Sequence, residues 1–216
     1  MSWEGLDIAH TCDAEGMRVV RFARGARHLF DVNAEYVDRL ELVELDGQAP
    51  RELWLATSAG AHGNRQDMFY ALIGGTPREV LSVATDEGSL EVKDLDGDGR
   101  PEVTGFISAF FDGRAWDFER PLVLALRGKR WQDVTSKYPE RFREAMNDWK
   151  RGVSNSTDCD ATQALNIYGL SLLSGAETAG ATYVRDQCPY VEAWFSQNQA
   201  KIRRHVQSAV FSQPDR

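Results

Sequence analysis

The spacing of apolar residues changes once along this chain, near Trp131, and this change restricts the fold more than any other feature. Before it, short runs of Val, Ile, Leu, Thr and aromatic residues alternate with turns rich in Gly, Asp and Pro, as in antiparallel hairpins. We predict strands at residues 17–22, 40–45, 52–57, 68–73, 80–84, 90–93, 103–110 and 122–126. Their short, regular spacing favours a meander of hairpins over parallel βαβ units.

After Trp131 the apolar residues follow the period of an amphipathic helix. The residues at positions i, i+3, i+4 and i+7 are Phe142, Ala145, Met146 and Trp149. They predict a helix over residues 139–151, and further helices are predicted over residues 160–173 and from about residue 189. The expected fold class is α+β. An antiparallel β region over residues 1–137 would be followed by a C-terminal helical region over residues 138–216 that packs on it.

Composition and charge exclude two classes of function. The formal net charge of −8 argues against nucleic-acid binding, because phosphate contacts need a basic face. The longest apolar stretches, such as residues 121–126, are too short to cross a bilayer, so no membrane insertion is expected. Residues 1–137 contain 24 acidic and 16 basic side chains, whereas residues 138–216 contain 9 of each. The excess of acid therefore belongs to the β region.

The segment at residues 94–102 concentrates this acid in a pattern typical of a calcium loop. Carboxylates occupy loop positions 1, 3, 5 and 9, glycine occupies position 6, and the Arg100 carbonyl can serve at position 7. Ca²⁺ prefers about six to eight oxygen ligands, and without an ion the clustered carboxylates would repel one another. The predicted metal ligands are Asp94, Asp96, Asp98, Arg100 and Glu102. The alternative is a solvated acidic turn.

The flanks of this loop distinguish it from an EF-hand. An EF-hand would have Glu at position 12 and helices on both sides, but this chain has Gly105 there and strand-like flanks. The loop instead resembles the calcium loop of FG-GAP or VCBS-type β-repeats, which occur in integrin α-chain propellers and in many bacterial surface proteins. This resemblance implies that the loop joins two strands and that Glu102 is a direct ligand.

A second copy of the pattern lies 50 residues earlier. Residues 44–53 align without a gap to residues 94–103, and the two repeats cover about residues 38–60 and 88–112. The first copy has Gln48 and Ala49 where the second has Asp98 and Gly99, so we expect it to keep the hairpin and not the ion. A closed propeller takes at least about four blades of four strands. The chain is too short for that, which favours a partial, propeller-like sheet.

No residue pattern in the chain predicts catalysis. The motifs GxSxG, HExxH, GxxxxGK[ST] and GxGxxG after a strand do not occur. The four scattered histidines are His10, His28, His62 and His205. Of these, His62 lies in a polar, glycine-containing loop that could carry a binding function, or could be only a hairpin tip. We therefore predict no catalytic residue and no cofactor other than Ca²⁺.

Three cysteines bear on the compartment. Cys159 and Cys188 lie in the predicted helical region, where they form either a disulfide or two buried free thiols, and Cys12 lies apart from them. Extracytoplasmic calcium is abundant enough to fill sites of roughly 10⁻⁴–10⁻³ M affinity, whereas a resting cytosol is not. The loop thus favours a periplasmic or extracellular protein whose signal peptide has been removed. The alternative is a cytoplasmic protein.

The favoured function is a non-enzymatic, calcium-stabilised binding protein of bacterial type. Its partner would be another protein, such as a secreted enzyme or toxin that it inhibits as an immunity-type partner would. One alternative is a hydrolase with a cleft between sheet and helices, in which carboxylates or His62 act and calcium is structural. Another is an accessory domain of a larger assembly.

Overall fold

The structure is a computed structural model that describes residues 1–60, 64–85, 90–111, 117–154, 159–209 and 211, with only the backbone of 109, 110 and 154. The strands are β1 (Ser2–Trp3), β2 (Leu6–Cys12), β3 (Arg18–Arg24), β4 (Arg27–Ala34), β5 (Tyr36–Val43), β6 (Glu52–Ala59), β7 (Asn64–Ile73), β8 (Thr76–Thr85), β9 (Glu91–Lys93), β10 (Glu102–Phe110), β11 (Asp117–Arg127) and β12 (Arg130–Asp133). The helices are α1 (Pro139–Ser154), α2 (Ala161–Leu173), α3 (Glu177–Gln187) and α4 (Glu192–Ser208). The fold class is α+β, as predicted.

The strands form three antiparallel sheets of four strands each. In the first sheet the order is β1-β2-β3-β4, in the second it is β5-β6-β7-β8, and the third contains β10, β11 and β12 as consecutive neighbours. Every neighbour in these orders is also the next strand along the chain, so each sheet is a meander built from hairpins. A four-stranded meander has the strand connectivity of one propeller blade.

The chain divides into two compact units, Met1–Glu102 and Val103–Arg216, here called the first and second unit. The first unit carries 20 acidic and 10 basic side chains, and the second carries 13 and 15. The domain boundary predicted from the sequence lies at residue 137, between the β region and the helical region. In the structure, β12 ends at Asp133 and α1 begins at Pro139. The compact units follow packing instead, so β11 and β12 belong with the helices.

The core of the first unit lies between its first two sheets. Both sheets contribute to one buried cluster, whose members are Trp3, Leu6, Ile8, Val20, Phe22, Leu53, Leu55, Met68 and Tyr70. The rings of Phe22 and Phe30 stack with centroids 4.4 Å apart. At the edge of the cluster, the Trp3 indole N–H donates to the Arg51 carbonyl at 2.8 Å. Burial of apolar and aromatic surface is the main stabilising contribution here.

A buried ion pair occupies the other face of the second sheet. Asp67 is fully buried, and its carboxylate accepts a hydrogen bond from the Trp54 indole at 2.7 Å. It also accepts two from the Arg65 guanidinium, at 2.9 and 3.1 Å. A second guanidinium, that of Arg39, lies 3.8 Å over the Trp54 ring. A buried carboxylate is tolerated only with such partners.

In the second unit, α2 is the central helix. Its residues 164–171 are all buried, and its N-terminus has a capping box in which Asp160 and Gln163 satisfy each other's backbone N–H groups. Glycines let its neighbours approach closely. A Cβ at Gly169 would lie 2.5 Å from the Phe118 ring, and one at Gly180 of α3 would lie 2.3 Å from Ser171 Cβ. Larger residues would not fit at either position.

A disulfide and a buried amide fix α2 in place. Cys159 and Cys188 form a disulfide that joins the residues before α2 to the end of α3, which settles the two alternatives left by the sequence. Asn166, fully buried on α2, accepts a hydrogen bond from the Glu119 N–H at 2.8 Å and donates one to the Asp117 carbonyl at 2.7 Å. The helix is thereby bonded to the backbone of β11.

Some elements were not predicted from the sequence, namely β1, β2, β4, β12 and α3. The helix at residue 139 extends three residues further than predicted, to Ser154. None of the helices in the described ranges is long and apolar enough to cross a membrane.

Candidate cation-binding loops

The predicted calcium loop, residues 94–102, follows β9 and ends at the first residue of β10. It brings three predicted ligands together, because carboxylate oxygens of Asp94, Asp96 and Glu102 all lie within 4.8 Å of one another. Asp94 and Asp96 are exposed, whereas Glu102 is only 1% exposed. The group therefore has a buried carboxylate at its base and two accessible carboxylates at its rim.

Asp94 also determines the backbone path of this loop. Its two carboxylate oxygens accept hydrogen bonds from the N–H groups of Gly97 and Gly99, at 2.8 and 2.9 Å. Both glycines have positive φ, at 76° and 83°, a conformation that other residues adopt only with strain. The glycines therefore permit the tight turn that places alternate acids on the same side.

Glu102 is held in the base of the loop by its own hydrogen bond. Its carboxylate accepts the N–H of Leu95 at 2.9 Å. Burial raises the pKa of this carboxyl above its ordinary value, and the neighbouring carboxylates of Asp94, Asp96 and Asp98 raise it further. A bound cation would oppose both effects, because it supplies positive charge where burial and repulsion disfavour the ionised form.

The other two predicted ligands are arranged differently. The exposed Asp98 carboxylate accepts the Arg100 N–H at 2.8 Å and lies outside the group of three carboxylates. The role expected for Arg100 uses its backbone carbonyl, while its side chain is exposed. Ligation by Asp98 and by the Arg100 carbonyl thus stays a prediction.

The first copy of the pattern, residues 44–52, joins β5 to β6 in a hairpin, as predicted. Carboxylate oxygens of Glu44, Asp46 and Glu52 lie within 4.8 Å of one another. Glu52 is 5% exposed and accepts the Leu45 N–H at 3.0 Å, as Glu102 accepts that of Leu95. Sequence reasoning missed this clustering, although the alignment of the acids to loop 94–102 was the signal for it.

The two acidic loops lie side by side within the first unit. A Cβ built on Gly47 would be 3.6 Å from the Gly99 carbonyl oxygen. Gly47 has a φ of 74°, close to the 76° of its counterpart Gly97. The two copies therefore share the conformation of this glycine and meet there, but they differ two residues further on, where Gly99 has a positive φ and Ala49 instead precedes a cis peptide bond to Pro50.

A raised pKa distinguishes the two buried glutamates, Glu52 and Glu102, from the other acids of the two loops. Burial, reinforced by the charges of Asp46 and Glu44, raises the pKa of Glu52 from 4.5 to about 7. The carboxyls of Glu52 and Glu102 are therefore the ones most sensitive to a nearby cation or proton.

The histidines do not form a site with the acidic loops in the described residues. His62 lies outside the described residues, so the hydrolase alternative built on it stays untested. His10 and His28 are exposed, and His28 Nε2 lies 3.0 Å from Asp31. His205 packs edge-on against Phe111 with centroids 5.3 Å apart.

Comparison with known proteins adds no family to this description. No family model matches the chain, and neither a curated protein nor a solved structure is significantly similar to it. What the protein does is therefore inferred from its own residues.

Proposed function

We propose that this protein is a non-enzymatic, calcium-stabilised binding protein, and that Ca²⁺ binds at residues 94–102. The observation that carries the proposal is the group of three carboxylates within 4.8 Å around the buried Glu102, together with a fourth acid, Asp98, and the turn residue Gly99, which loop 44–52 lacks. Exposed acids are common on protein surfaces, but a glutamate that is 1% exposed beside two other carboxylates needs compensation. A hard divalent cation supplies it.

Asp94, Asp96 and Glu102 would supply the central ligands of this site. Asp98 and the Arg100 carbonyl would complete the set after a local rearrangement of the Asp98 side chain, which now accepts the Arg100 N–H. Carboxylate and carbonyl oxygens are the ligands that Ca²⁺ prefers, and water can fill the remaining positions.

We also assign the chain to the FG-GAP or VCBS type of β-repeat. Two features support this assignment: each acidic loop connects consecutive strands, and each four-stranded sheet is a meander. The two loops are 50 residues apart, and each joins the first two strands of a four-stranded sheet, which fits one loop per sheet repeat.

A periplasmic or extracellular location in a bacterium is part of the proposal. The Cys159–Cys188 disulfide supports it independently of calcium, because disulfides persist in oxidising compartments and are rare in a reducing cytosol. The millimolar calcium concentrations found outside cells would keep even a weak site filled.

The partner would be another protein with a basic surface. The first unit carries twice as many acidic as basic side chains, 20 against 10, and charge complementarity speeds association and selects partners. An inhibitor or immunity-type role toward a secreted protein would fit such a surface.

Calorimetry on the whole chain tests the calcium proposal. After dialysis against a chelator, titration with Ca²⁺ should show one ion per chain, and saturation at 100 times Kd should stabilise the fold by about 2.7 kcal/mol. Asp96→Asn should abolish the heat. Asp46→Asn is the matched control, because it removes the equivalent acid of the other loop and should leave binding unchanged. No heat and an unchanged melting temperature with chelator would refute the site.

An affinity experiment tests the binding role. The immobilised protein, incubated with native extract in Ca²⁺ or in chelator, should retain a basic partner only in Ca²⁺, as identified by mass spectrometry. Recovery of no protein above the level of an Asp96→Asn control column would count against the proposal.

A further inference from the structure

The outer edge of β5 is an open strand edge. β5 is the first strand of the β5-β6-β7-β8 sheet and pairs with β6 along one side. Within the described residues, no strand pairs with its other side, and no further backbone hydrogen bond reaches it. In an edge strand, alternate residues point both N–H and C=O away from the sheet. β5 therefore offers a row of backbone donors and acceptors to a partner.

The other edge strands are less suited to such pairing. β1, β9 and β12 have only two, three and four residues. β8 contains Pro77, which has no N–H group to donate. β4 presents the basic residues Arg27 and His28, and its acid, Asp31, is already paired with Arg21 at 3.0 Å. Of the longer edges, only that of β5 combines an unpaired backbone with exposed acids.

A β-bulge at Asp38 sets which side chains of β5 share a face. Tyr36 and Glu41 are an odd number of positions apart, so a regular strand would place them on opposite faces. Asp38 has no partner on β6, and this extra residue brings Tyr36 onto the same face as Glu41. The apolar side chains on the other face pack against the core cluster of the first unit and are Val37, Leu40 and Leu42.

Exposed acids follow this edge. They are Glu35, Asp38 and Glu41. Two arginines lie on the same sheet but are engaged, Arg39 with Glu41 at 3.3 Å and Arg65 in the buried ion pair of β7. Among the described residues, Glu35 and Asp38 have no cation at ion-pair distance. The edge therefore attracts a basic segment and repels a second copy of itself, which would bring the same acids together.

We propose that the outer edge of β5 binds an extended segment of the partner protein, which adds to the second sheet as a further strand. Alternate basic residues of the segment pair with Asp38 and Glu41, and apolar residues between them lie beside the half-buried Leu40. Tyr36, which is 58% exposed, is the aromatic anchor at the end of the strand. Backbone hydrogen bonds supply affinity, and the side chains select the partner.

This inference rests on the binding role proposed above and names the surface that performs it. It restricts the partner to a protein with an exposed, extended segment in which basic and apolar residues alternate. Calcium is not a part of this surface, because the predicted ligands lie in residues 94–102.

Calorimetry and hydrogen exchange on the whole chain test this edge. The probe is an eight-residue peptide of alternating Lys and Val, which matches the length of β5. It should bind, and alternate amides of β5 should gain protection. Two further peptides carry N-methyl groups on every Lys or on every Val. Only one of these two sets of N–H groups can face β5, so one methylated peptide should lose binding and the other should keep it.

Charge variants test the selection of a basic segment. Asp38→Asn combined with Glu41→Gln should weaken binding of the Lys–Val peptide roughly tenfold, because two exposed ion pairs are lost. The matched control combines Asp7→Asn with Glu15→Gln, which removes two exposed acids from the same unit and should leave the affinity unchanged.

A tyrosine pair tests the anchor. Tyr36→Ala should weaken binding of the same peptide roughly tenfold. Tyr190→Ala removes a tyrosine of the second unit that is 80% exposed and should have no effect. Equal effects of the two variants would contradict the role of Tyr36.

Four results would overturn the proposal. These are no saturable binding of the Lys–Val peptide, equal binding of the two methylated peptides, equal weakening by the control pair of acids, and protection of β5 that rises with protein concentration without peptide. The last would identify a second copy as the occupant. If a column of the Asp38→Asn, Glu41→Gln variant retains the same native partner as the unaltered chain, the binding role stands and this surface is wrong. Recovery of no partner on either column would instead refute the binding role.

Discussion

The two units bury different kinds of polar group. In the first unit three of the buried polar residues are acids, namely Glu52, Asp67 and Glu102. In the second unit the buried polar residues are mostly neutral, such as Asn166 and Thr135, which bond to the backbone of neighbouring elements. The exception is Arg120, whose guanidinium pairs with Asp133 at 2.7 Å. Buried acids need a guanidinium, a proton or a cation, whereas buried amides and hydroxyls need only geometry. The first unit should therefore respond to ions and pH.

The second unit is stabilised by covalent and steric means. The disulfide of Cys159 and Cys188 closes the α2–α3 pair, and glycines allow close contact of α2 with Phe118 and of α3 with Ser171. Such contacts are insensitive to salt and to pH between the usual carboxyl and thiol ranges. The first unit therefore holds most of the buried groups that respond to ions and pH, whereas the second is stabilised mainly by contacts that do not.

The largest expected effect comes from removing Asp67, the fully buried acid of the second sheet. Asp67→Ala leaves the Trp54 indole and the Arg65 guanidinium without their acceptor, and should cost about 3–5 kcal/mol in the free energy of unfolding. Hydrogen exchange should accelerate in β6 and β7 before it does in α2. Glu41→Ala removes an exposed acid of the same sheet and should change stability by less than about 0.5 kcal/mol. Equal acceleration in both units would show that Asp67 does not stabilise the first unit preferentially.

Removal of the disulfide should have the next largest effect. Replacement of both Cys159 and Cys188 by Ala opens a loop with a sequence separation of 29 and should cost about 3.5 kcal/mol by loop-closure entropy. Denaturant unfolding measures it, and exchange should accelerate in α2 and α3 while β6 is spared. Cys12→Ser, at an exposed cysteine, is the control. A loss of protection confined to β5–β8 would contradict the stabilisation of the second unit by this bond.

A smaller effect is expected from filling the close helix contact. Gly180→Ala puts a methyl group 2.3 Å from Ser171 Cβ and should cost about 1–3 kcal/mol, because the buried backbone must shift. At Gly152 in α1 a Cβ would lie 3.7 Å from the nearest atom, so Gly152→Ala should stabilise the helix by up to about 1 kcal/mol. Thermal melting of the two variants should move in opposite directions. Equal shifts would show that the α2–α3 contact is looser than the structure indicates.

Apolar patterning predicted most elements, in two different ways. The strands β3 and β5 to β11 and the helices α1, α2 and α4 each overlap a predicted segment. An apolar stripe at helical spacing identified α1, α2 and α4, whereas β6 and β11 were identified by continuous apolar runs. In the structure β6, β11 and α2 are buried on all sides over at least six consecutive residues. In contrast, α3 packs through the small residues Gly180 and Ala181, which give almost no apolar stripe. In β2 the buried residues are limited to Leu6 and Ile8, and β4 carries charged residues at a sheet edge.

The arginines at every third position of residues 18–24 show a further limit. They fit neither face of a regular strand, yet Arg18, Arg21 and Arg24 all lie in β3 and are exposed. Arg18 and Arg24 are the end residues of β3, and Arg21 lies on the opposite face of the strand, so the exposure at every third position involves both faces. The register of β3 against β4 shifts beside Phe22 and Ala23, where β4 contains the extra residue Leu29. A β-bulge of this kind depends on the neighbouring strand and cannot be read from local sequence.

The candidate site was predictable in its residues and only partly in its geometry. The spacing of acids identified Asp94, Asp96 and Glu102, which the fold brings together. The hydrogen bond that the Asp98 carboxylate accepts from the Arg100 N–H was not foreseen, although short acidic side chains often bond to the backbone two residues on. The shifted pKa of Glu52 was not foreseen either, since it arises from burial that the tertiary fold creates.

The amide of Asn166 has a consequence for how the protein behaves at high concentration. One edge of β11 pairs with β10, and β12 covers the other edge from Leu124 to Arg127. Nearer the start of β11, the Asn166 side chain on α2 bonds to the Asp117 carbonyl and the Glu119 N–H. It occupies the donor and acceptor that an added strand from another molecule would use, and such open edges are the usual starting point of aggregation. Protection against edge-to-edge association is therefore encoded on a helix, about fifty positions further along the chain.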